Sequence, residues 1–595
     1  MDERTGNEAA QGRKGASLRF FRKVWYLTKS YWQSEEKGRA SLLLGAIMVL
    51  TLGVVLMLLQ INEWYNSFYS ALQNYESEKI FYELLRFCGL AFVYIILAVY
   101  AFYLRQVLAI RWRRWLTNAY IDRWMSDKTY YRLQMFGTAT DNPDQRISED
   151  VRLFVDYTLQ FGIGILKALA TFVAFVSVLW RLSGPLTLTL GGWTAHIPGY
   201  LVWTALLYAG VGTWLTYKVG NRLVGLNFVQ QRFEADFRFS MMRMRENCES
   251  VAFYSGEETE RSVFKKRFRL LLDNFWSIIK KQKELTWLAS GYGQIAIIFP
   301  LVVAMPRYLA REITLGGLMQ VSSAFGRVQE SLSYFVDMYS SIAEWQAVVD
   351  RLTGFGAHME AVAETHGQDL LERLPATNGD VTARGLEIDL PDGSVLVRPV
   401  DFTLVAGRPV LIQGVSGSGK STLLRVLAGL WPYTKGKLAM PGGDAVMFIP
   451  QRPYLPLGTL RDAILYPGTK TLDDAALRPY LETCRIAYLW DKLHEEGDWS
   501  HILSIGEQQR LAFARALIYA PRWLFLDEAS SALDERTEGE VYAALARECP
   551  GTTYVSVGHR STLVKFHQDV IYLDKETQTL RRPSAIPRGR EEAGR

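Results

Sequence analysis

The chain has few cysteines and histidines, and neither residue type is arranged as a site. Its four cysteines lie far apart along 595 residues, without metal-ligand spacing, so we expect free thiols of a reducing compartment. The seven histidines are scattered, and no H-E-x-x-H motif occurs. A net charge of +6 is small for this length, and no RNA- or DNA-binding motif appears, so we expect no nucleic-acid partner.

The N-terminus lacks the apolar core of a signal peptide, because its first residues are polar.

What the chain does have is length and apolar character. At 595 residues it is too long for one core, so at least two domains are expected. Seventeen tryptophans and a mean hydropathy of +0.00 are typical of a chain that is part membrane and part soluble.

Residues 414–422 read G-V-S-G-S-G-K-S-T, a phosphate-binding loop. An apolar run suited to a buried strand precedes it, and a segment with helical spacing follows it. Such a loop turns its N–H groups toward phosphate oxygens at a helix N-terminus. Lys420 can reach the β- and γ-phosphates, and the Ser421 hydroxyl can hold Mg²⁺. The predicted nucleotide-binding residues are Gly414, Ser416, Gly417, Ser418, Gly419, Lys420, Ser421 and Thr422. The alternative is a glycine-rich turn with a chance lysine.

Three apolar runs that read as strands end in polar residues, namely Gln451, the pair Asp527-Glu528, and His559. Asp527 can hold Mg²⁺ through water, and Glu528 can orient and deprotonate the attacking water. Gln451 can sense the γ-phosphate, Mg²⁺ or that water, and His559 can contact the γ-phosphate. We therefore expect Glu528, His559 and Gln451 to be catalytic, and Ser421, Gln451 and Asp527 to be the Mg²⁺ residues.

The segment L-S-I-G-E-Q-Q-R at 503–510 opens a helix. Its N–H groups and dipole form a second anion site, to which we assign Ser504, Gly506 and Glu507. The phosphate loop, the three strand ends and this helix start, taken together in their order along the chain, resemble an ABC-type ATPase domain. The resemblance implies that this second site closes over ATP held by a partner copy. ABC ATPases often stack adenine on an upstream aromatic, but 389–393 has none, so adenine packing falls to Leu390 or Pro391.

Apolar segments of about twenty residues predict membrane helices at 41–61, 85–106, 160–180, 199–219 and 286–305. A sixth candidate, 314–340, is weaker because it contains Gln320, Glu330 and other polar residues. Polar groups at membrane depth face protein or water, so we expect this helix to line a wet cavity. The alternative is a soluble amphipathic helix.

The loops agree with six spans. Those between spans 2 and 3 and between spans 4 and 5 are basic, whereas 182–198 has no Lys or Arg. By the positive-inside rule, the N-terminus, both basic loops and the ATPase half share the cytoplasm. We expect 107–159 and 220–284 to be helical extensions that reach the ATPase half, the alternative being solvated charged faces.

The predicted architecture is an α-helical six-span membrane domain followed by an α/β P-loop ATPase domain. Its parts are a cytoplasmic segment (1–40), the transmembrane domain (41–345), a linker (346–378), the ABC ATP-binding domain (379–580) and a polar tail (581–595).

Parts of the membrane half resemble the SbmA/BacA peptide-uptake family, at 62–73, 110–117 and 141–147. Two others, 234–238 and 250–257, are similar to the peroxisomal ALD (subfamily D) half-transporters. Together they point to the ABC-fused, BclA-like group. The resemblance implies a homodimeric half-transporter of exporter-type fold in a bacterial inner membrane, driven by ATP and alternating access.

The implied cargo is antimicrobial or other cationic peptides, bleomycin-like glycopeptides and cobalamin, imported through a large, promiscuous cavity. Five acidic residues could attract cations there, unless they are solvated or paired: Glu63, Glu76, Glu78, Glu330 and Asp337. Export of lipid or acyl substrates and an ATP-gated channel remain alternatives. A soluble ABC ATPase is excluded by the hydropathy.

Overall fold

The computed structural model describes residues 19–135, 142–190, 193–366, 370–376, 378–468 and 470–581. The chain divides into two compact units. A helical unit contains Met1–Trp124 and Ala139–His358, and an α/β unit contains Met125–Thr138 and Met359–Arg595. The boundary after His358 falls inside the predicted linker. The part of that linker up to residue 366 is helical.

Long helices make up the helical unit, with one hairpin between them. In chain order the elements are α1 (19–32), α2 (Lys37–Gln73), α3 (Ser77–Met125), α4 (Thr129–Met135, in the α/β unit), α5 (Pro143–Gln145), α6 (Val151–Ser183), β1 (Pro185–Leu190), β2 (Trp193–Pro198), α7 (Tyr200–Glu246), α8 (Cys248–Phe253), α9 (Glu257–Leu309), α10 (Leu315–Asp337) and α11 (Tyr339–His366). The hairpin β1–β2 was not predicted.

Each predicted span lies in helix, apart from residues 199, 314 and 338: 41–61 in α2, 85–106 in α3, 160–180 in α6, 199–219 in α7, 286–305 in α9, and 314–340 in α10 and the start of α11. Within the described ranges, four helical stretches are long and apolar enough to cross a membrane, at Lys37–Gln73, Ser77–Met135, Pro143–Ser183 and Glu257–Leu309. Helices α7 and α10 are less apolar, so the count of six stays a prediction.

Helices α3, α7 and α9 are far longer than a bilayer requires. They have 49, 47 and 53 residues, which correspond to about 75, 70 and 80 Å against a hydrocarbon core of about 30 Å. Helices α3, α7 and α9 extend into the basic segments that follow or precede the apolar ones. The helical extensions predicted for these loops are therefore present.

Helix α10, the weakest span candidate, lies at the centre of the helical unit. It packs against α2, α6, α7 and α9. Its apolar face is buried at Leu318, Val321, Ala324, Phe325 and Val328. Gln320 is also buried. Its backbone carbonyl oxygen accepts a 3.0 Å hydrogen bond from Asn62 Nδ2 of α2, whereas its side-chain amide oxygen has no hydrogen-bond partner among the described residues. This glutamine faces protein, which is one of the two environments expected for polar groups at membrane depth.

The polar side of α2 holds the beginning of α10. The Ser70 and Thr314 hydroxyls lie 2.9 Å apart, and Gln73 Oε1 accepts a 2.8 Å bond from the Leu315 N–H. A Cβ added at Gly316 would lie 2.0 Å from the carbonyl oxygen of Asn66. We call this contact, formed by Asn62, Asn66, Ser70 and Gln73 against the start of α10, the α2–α10 seam.

Among its described residues, the α/β unit contains two larger sheets, the two-stranded sheet β9–β10, and the helices that accompany them. Its elements are β3 (Leu371–Pro375), β4 (Val381–Asp389), β5 (Val395–Leu404), β6 (Val410–Gln413), α12 (Lys420–Leu427), β7 (Thr434–Met440), β8 (Val446–Ile449), β9 (Gly458–Thr459), α13 (Leu460–Leu465), α14 (Asp474–Thr483), β10 (Glu496–Gly497), α15 (Trp499–Ile502), α16 (Ile505–Tyr519), β11 (Trp523–Asp527), α17 (Glu535–Glu548), β12 (Thr553–Val557), β13 (Asp569–Asp574) and β14 (Thr579–Arg581).

The larger sheet has the strand order β14-β13-β6-β12-β11-β8, and all of its pairs are parallel except β13–β14. A four-stranded sheet, β3-β7-β4-β5, accompanies it. Strand β11 is apolar and fully buried from Trp523 to Leu526, as expected for a central parallel strand covered on both faces. This sheet positions the candidate site.

Candidate nucleotide-hydrolysis site

Four neighbouring parallel strands end at the same edge of the larger sheet. Strand β6 leads into the phosphate loop, β11 ends at Asp527, β8 is followed by Gln451, and β12 is followed by His559. The carboxyl ends of parallel strands form the crevice in which α/β proteins bind ligands. The predicted residues of these four segments therefore converge on one place.

The phosphate loop needs glycine where the backbone is left-handed and crowded. Gly414 has φ 156°, and a Cβ there would lie 2.5 Å from the carbonyl oxygen of Leu573 on β13. Gly419 has φ 101°, and its Cβ would lie 3.1 Å from the Leu396 side chain. Helix α12 begins at Lys420, so the loop ends at a helix N-terminus, as predicted.

Lys420 is folded back over the loop. Its ammonium donates to the carbonyl oxygens of Gly414, at 2.9 Å, and Val415, at 3.0 Å. Burial lowers the pKa of this lysine, while the carboxylates of Glu528 and Asp527 oppose that shift. A phosphate bound in the loop would therefore compete with these two backbone oxygens for the Lys420 ammonium.

Ser421 and Asp527 meet as the Mg²⁺ prediction requires. The Ser421 hydroxyl donates a 2.9 Å hydrogen bond to Asp527 Oδ1. Burial raises the pKa of the Asp527 carboxyl, so a nearby cation would favour its charged form. Mg²⁺ prefers oxygen ligands, and a hydroxyl beside a carboxylate supplies them. These residues fit the ion.

Glu528 lies between the other two predicted catalytic residues. Gln451 Nε2 donates to its Oε2 at 3.1 Å, and His559 Nε2 lies 3.2 Å from its Oε1. Glu528 has φ 47°, a left-handed conformation that costs a non-glycine residue about 1–2 kcal/mol. Its N–H bonds the Val557 carbonyl at 3.1 Å, which anchors the turn to β12. A carboxylate held in this way can orient and deprotonate water.

The second predicted anion site begins α16. Ser504 is the N-cap, and a capping box joins it to Glu507, whose Oε2 accepts a 2.8 Å bond from the Ser504 N–H. Tyr488 also bonds the Glu507 carboxylate. Glu507 therefore has a structural task at the helix end, and its predicted contact with nucleotide stays a prediction. Ser504 is exposed, and Gly506 is partly exposed.

Gln509 is a functional candidate that the sequence reasoning missed. It is fully buried, and its Nε2 donates to the backbone carbonyl of Gln451 at 3.1 Å. Its Oε1 accepts from the Ala532 N–H at 2.9 Å. This glutamine joins the start of α16 to two segments of the site. The signal that could have indicated it is a glutamine among the apolar residues of a buried helix.

Residues 389–393, the stretch in which ABC ATPases often carry an aromatic that stacks on adenine, contain no aromatic residue. Leu390 is partly buried and packs against the sheet core, whereas Pro391 is exposed. Leu396, which the sequence reasoning did not name, lies beside Gly419 of the phosphate loop. An aliphatic surface is thus present next to the loop, and its contact with adenine stays a prediction.

Two of the acidic residues that were expected to attract cations are paired. Glu330 forms a 2.8 Å ion pair with Arg327, and Glu76 forms one of 3.2 Å with Lys79. Glu63 and Glu78 are exposed. The side chain of Asp337 lies outside the described residues. For Glu330 and Glu76, the alternative of paired charges is the one observed.

Comparisons with known proteins agree with both halves of the chain. Residues 27–309 match the family described as "ABC transporter transmembrane region 2", and 397–531 match "ABC transporter". The chain is 32% identical to the inner membrane ABC transporter ATP-binding protein YddA of Escherichia coli, over 91% of this chain and 96% of that protein. It is 33% identical to the chloroplastic ABC transporter D family member 2 of Arabidopsis thaliana, over 94% and 87%.

A human relative, the lysosomal cobalamin transporter ABCD4, is 27% identical over 95% of this chain and 96% of its own length. Among solved structures, a bacterial Atm1-family ABC exporter with ATP bound superposes with a TM-score of 0.70. It covers 92% of this chain and 95% of the other, at 18% identity. At that identity the likeness shows the fold alone.

The strand-end constellation, the long apolar helices and these matches lead to one assignment. The helical unit is the transmembrane region in a lipid bilayer, and the α/β unit is the ATPase domain that couples ATP hydrolysis to transport. The chain therefore belongs to the ABC transporters, as a multi-pass membrane protein of the subfamily D type.

Proposed function

We propose that this chain is a homodimeric importer in a bacterial inner membrane. Its cargo is antimicrobial or cationic peptides, bleomycin-like glycopeptides and cobalamin. ATP with Mg²⁺ drives alternating access, with the N-terminus and the ATPase domain in the cytoplasm. The observation that carries ATP-driven transport is that Met125–Thr138, from the loop between two predicted spans, belongs to the ATPase unit.

That loop segment contacts the helix that begins at the phosphate loop. The Lys128 ammonium donates a 2.9 Å hydrogen bond to the carbonyl of Ala428, the C-cap residue of α12. Burial lowers the pKa of Lys128, and the nearby Arg373 and Arg132 act in the same direction. Met135 packs against the core of the sheet. A change at the N-terminus of α12, where phosphate binds, can therefore be transmitted to this segment.

The dimer proposal is supported by what the start of α16 contacts. The contacts of Ser504 stay with Glu507 and Gln508, and Gly506 lies beside the Ala532 carbonyl. Among the described contacts, none joins Ser504 or Gly506 to the phosphate loop of the same chain. The Ser504 N–H is bonded to Glu507, so the N–H of Gly506 at the start of α16 is the group that faces the γ-phosphate of ATP held by a second copy.

The cargo proposal rests on likeness in the membrane half. The segment 62–73, which resembles the peptide-uptake family, forms the α2–α10 seam at the centre of the helical unit. The name of one relative, a cobalamin transporter, is compatible with bulky hydrophilic cargo. Because Glu330 and Glu76 are paired, selection of cations falls to other groups, including the exposed Glu63 and Glu78.

The test compares wild type with Glu528→Gln in a bacterium lacking its own peptide-uptake transporter. Bleomycin sensitivity and accumulation of a labelled cationic peptide are measured. We expect wild-type cells to become sensitive and to accumulate the peptide, whereas Glu528→Gln cells, made at equal protein level, do neither. The isosteric amide keeps the fold but cannot accept the proton of water.

Three other outcomes contradict parts of the proposal. Increased resistance of wild-type cells would mean outward transport. Equal uptake with wild type and Glu528→Gln would separate transport from hydrolysis and favour a channel. Unchanged cells, together with intact ATPase activity of the purified protein, would mean a different cargo.

A further inference from the structure

Glu538, on α17, is a fully buried carboxylate near the catalytic edge of the sheet. Its Oε1 accepts a 2.6 Å hydrogen bond from the Ser530 hydroxyl, and its Oε2 accepts one of 2.7 Å from Thr562. The Arg560 guanidinium lies 3.7 Å from the same carboxylate. Both oxygens are therefore satisfied, and the charge has a counterion.

Arg560 extends this contact to the turn that follows the catalytic carboxylates. It donates to the carbonyl of Leu533 at 2.6 Å and to that of Ser531 at 2.8 Å. The Ser531 N–H in turn donates to the Glu528 carbonyl at 3.0 Å. One guanidinium and one carboxylate thus bind two segments together, 530–533 after Glu528 and 560–562 after His559.

One member of the hydrolytic pair lies just before each of these segments. Glu528 precedes the first, His559 precedes the second, and their side chains lie 3.2 Å apart. Both members of the pair line a cavity of about 150 Å³, whose lining also includes Glu538 and Arg560. A shift of either segment would change both the walls of this cavity and the distance between the pair.

The position of Glu538 is unusual for a residue that only supports the fold. It stands on the inner stripe of α17, in helical register with Val541, Tyr542 and Leu545, which are all buried. The Arg560 side chain is 37% exposed whereas Glu538 is fully buried, so most of the desolvation cost falls on the carboxylate. Well-packed apolar residues are often at least as stable as a buried charge with its partner. A charged pair here is better explained by the geometry that it imposes on the two segments.

We propose that Glu538 and Arg560 are positioning residues for ATP hydrolysis, which hold His559 against Glu528. Neither contacts ATP in this role. The pair acts by fixing the two segments in one arrangement, so that the water, the base and the γ-phosphate contact are aligned together. The proposal concerns hydrolysis and stands whatever the cargo and its direction.

The experiment measures steady-state ATP hydrolysis by the purified full-length protein in detergent. The variants are Glu538→Gln, Arg560→Met and the double substitution. We expect each single variant to lower kcat by about tenfold or more, with KM for ATP within about twofold of wild type. The double variant loses no more than the worse single one, because the two residues act as a unit.

Glu540→Gln is the matched control on the same helix. Glu540 is partly exposed and pairs with Arg485 and Arg536, so its substitution leaves kcat unchanged. Glu528→Gln is the second control, and residual hydrolysis there would refute the assignment of the base rather than the positioning role. Thermal unfolding midpoints of all variants are recorded alongside.

Wild-type kcat in Glu538→Gln would overturn the proposal. So would a loss of kcat that matches a loss of folded protein or a parallel rise in KM, since these mark a purely structural role. If Glu538→Gln does not fold, Thr562→Val removes only one hydroxyl from the carboxylate. If Thr562→Val has the kcat and the unfolding midpoint of wild type, that result would equally contradict the positioning role of Glu538 and Arg560.

Discussion

Single side chains in the ATPase domain are held by partners that fix their protonation state. His567 is an example outside the catalytic site. Its Nδ1 donates to the Leu563 carbonyl at 2.7 Å, and its Nε2 accepts from the Ser556 hydroxyl at 2.8 Å. Both nitrogens are thus occupied in the neutral ring, and burial lowers the pKa of His567 to about 4. Protonation would break the bond from Ser556.

We predict that acid weakens the fold through His567. Between pH 6.5 and about 4 the unfolded chain binds a proton there that the folded chain does not, so stability falls as pH falls. The loss reaches roughly 3 kcal/mol near pH 4. The unfolding midpoint of the detergent-solubilised protein, followed from pH 7 to pH 4.5, should fall less steeply in His567→Gln than in wild type.

His501 supplies the control for this measurement because its side chain is 86% exposed. His501→Gln should keep the wild-type dependence on pH. If the slopes of wild type and His567→Gln coincide, the buried histidine does not contribute to acid sensitivity.

Among the secondary-structure elements, α10 shows how a polar helix can occupy the centre of a membrane domain. Its start is fixed to α2 by side chains of the seam, and its remaining length packs on three other helices. Close approach at Gly316 makes these contacts possible, because the carbonyl of Asn66 occupies the space where a Cβ would lie. The polar residues Asn62, Asn66, Ser70 and Gln73 are therefore explained by contact with a neighbouring helix.

We predict that Gly316→Ala separates α2 from α10. The added Cβ would lie 2.0 Å from the Asn66 carbonyl oxygen and 2.4 Å from the Ser70 hydroxyl, and backbone cannot yield as a side chain can. We expect a lower unfolding midpoint of the solubilised protein and a loss of uptake in cells. Detergent-solubilised yield and thermal unfolding report the first effect.

Gly326→Ala is the matched control on the same helix, since nothing lies within 4 Å of a Cβ at that position. Alanine there should stabilise the helix by about 1 kcal/mol. Equal behaviour of the two variants would show that the seam is not a tight contact.

At the scale of the whole molecule, the question is which copy supplies the start of α16 to each ATP. The proposed head-to-tail dimer makes every ATP site from two chains. Chains that carry a defect in one half-site can therefore complement each other only in certain combinations.

We predict the outcome for dimers assembled from differently tagged chains. Pairing a Lys420→Ala chain with a Gly506→Asp chain leaves one site with both halves intact, so ATP hydrolysis persists. Pairing wild type with a chain carrying both substitutions damages both sites, so hydrolysis is lost. Tandem-affinity purification followed by an ATPase assay measures each. The reverse ranking would show that each chain completes its own site.

Much of the ATPase site could be predicted because its signals are local. The phosphate loop, Gln451, the Asp527-Glu528 pair and His559 each follow an apolar strand. Parallel strands bring their ends to one edge, so these residues meet once the strands form one sheet. The long helices were likewise visible, since bilayer-spanning segments need an unbroken apolar run.

The features that the sequence did not show are those that depend on distant partners. Residues 346–366, inside the predicted linker, lie in α11, where buried contacts at Val348, Val349 and Leu352 compensate for a weak local pattern. The seam, which explains the polar side of α2, joins residues about 250 positions apart in the sequence.

The sequence by itself determined that the chain has a membrane half and an ATPase half, and which residue types lie at its phosphate loop and strand ends. Only the tertiary structure decided the strand order, the central place of α10, and the partners of Gln509, Glu538 and Arg560. Strand and helix patterns arise from interactions between near neighbours. Hydrogen bonds between remote side chains, by contrast, exist only after packing has brought their segments together, because nothing local specifies them.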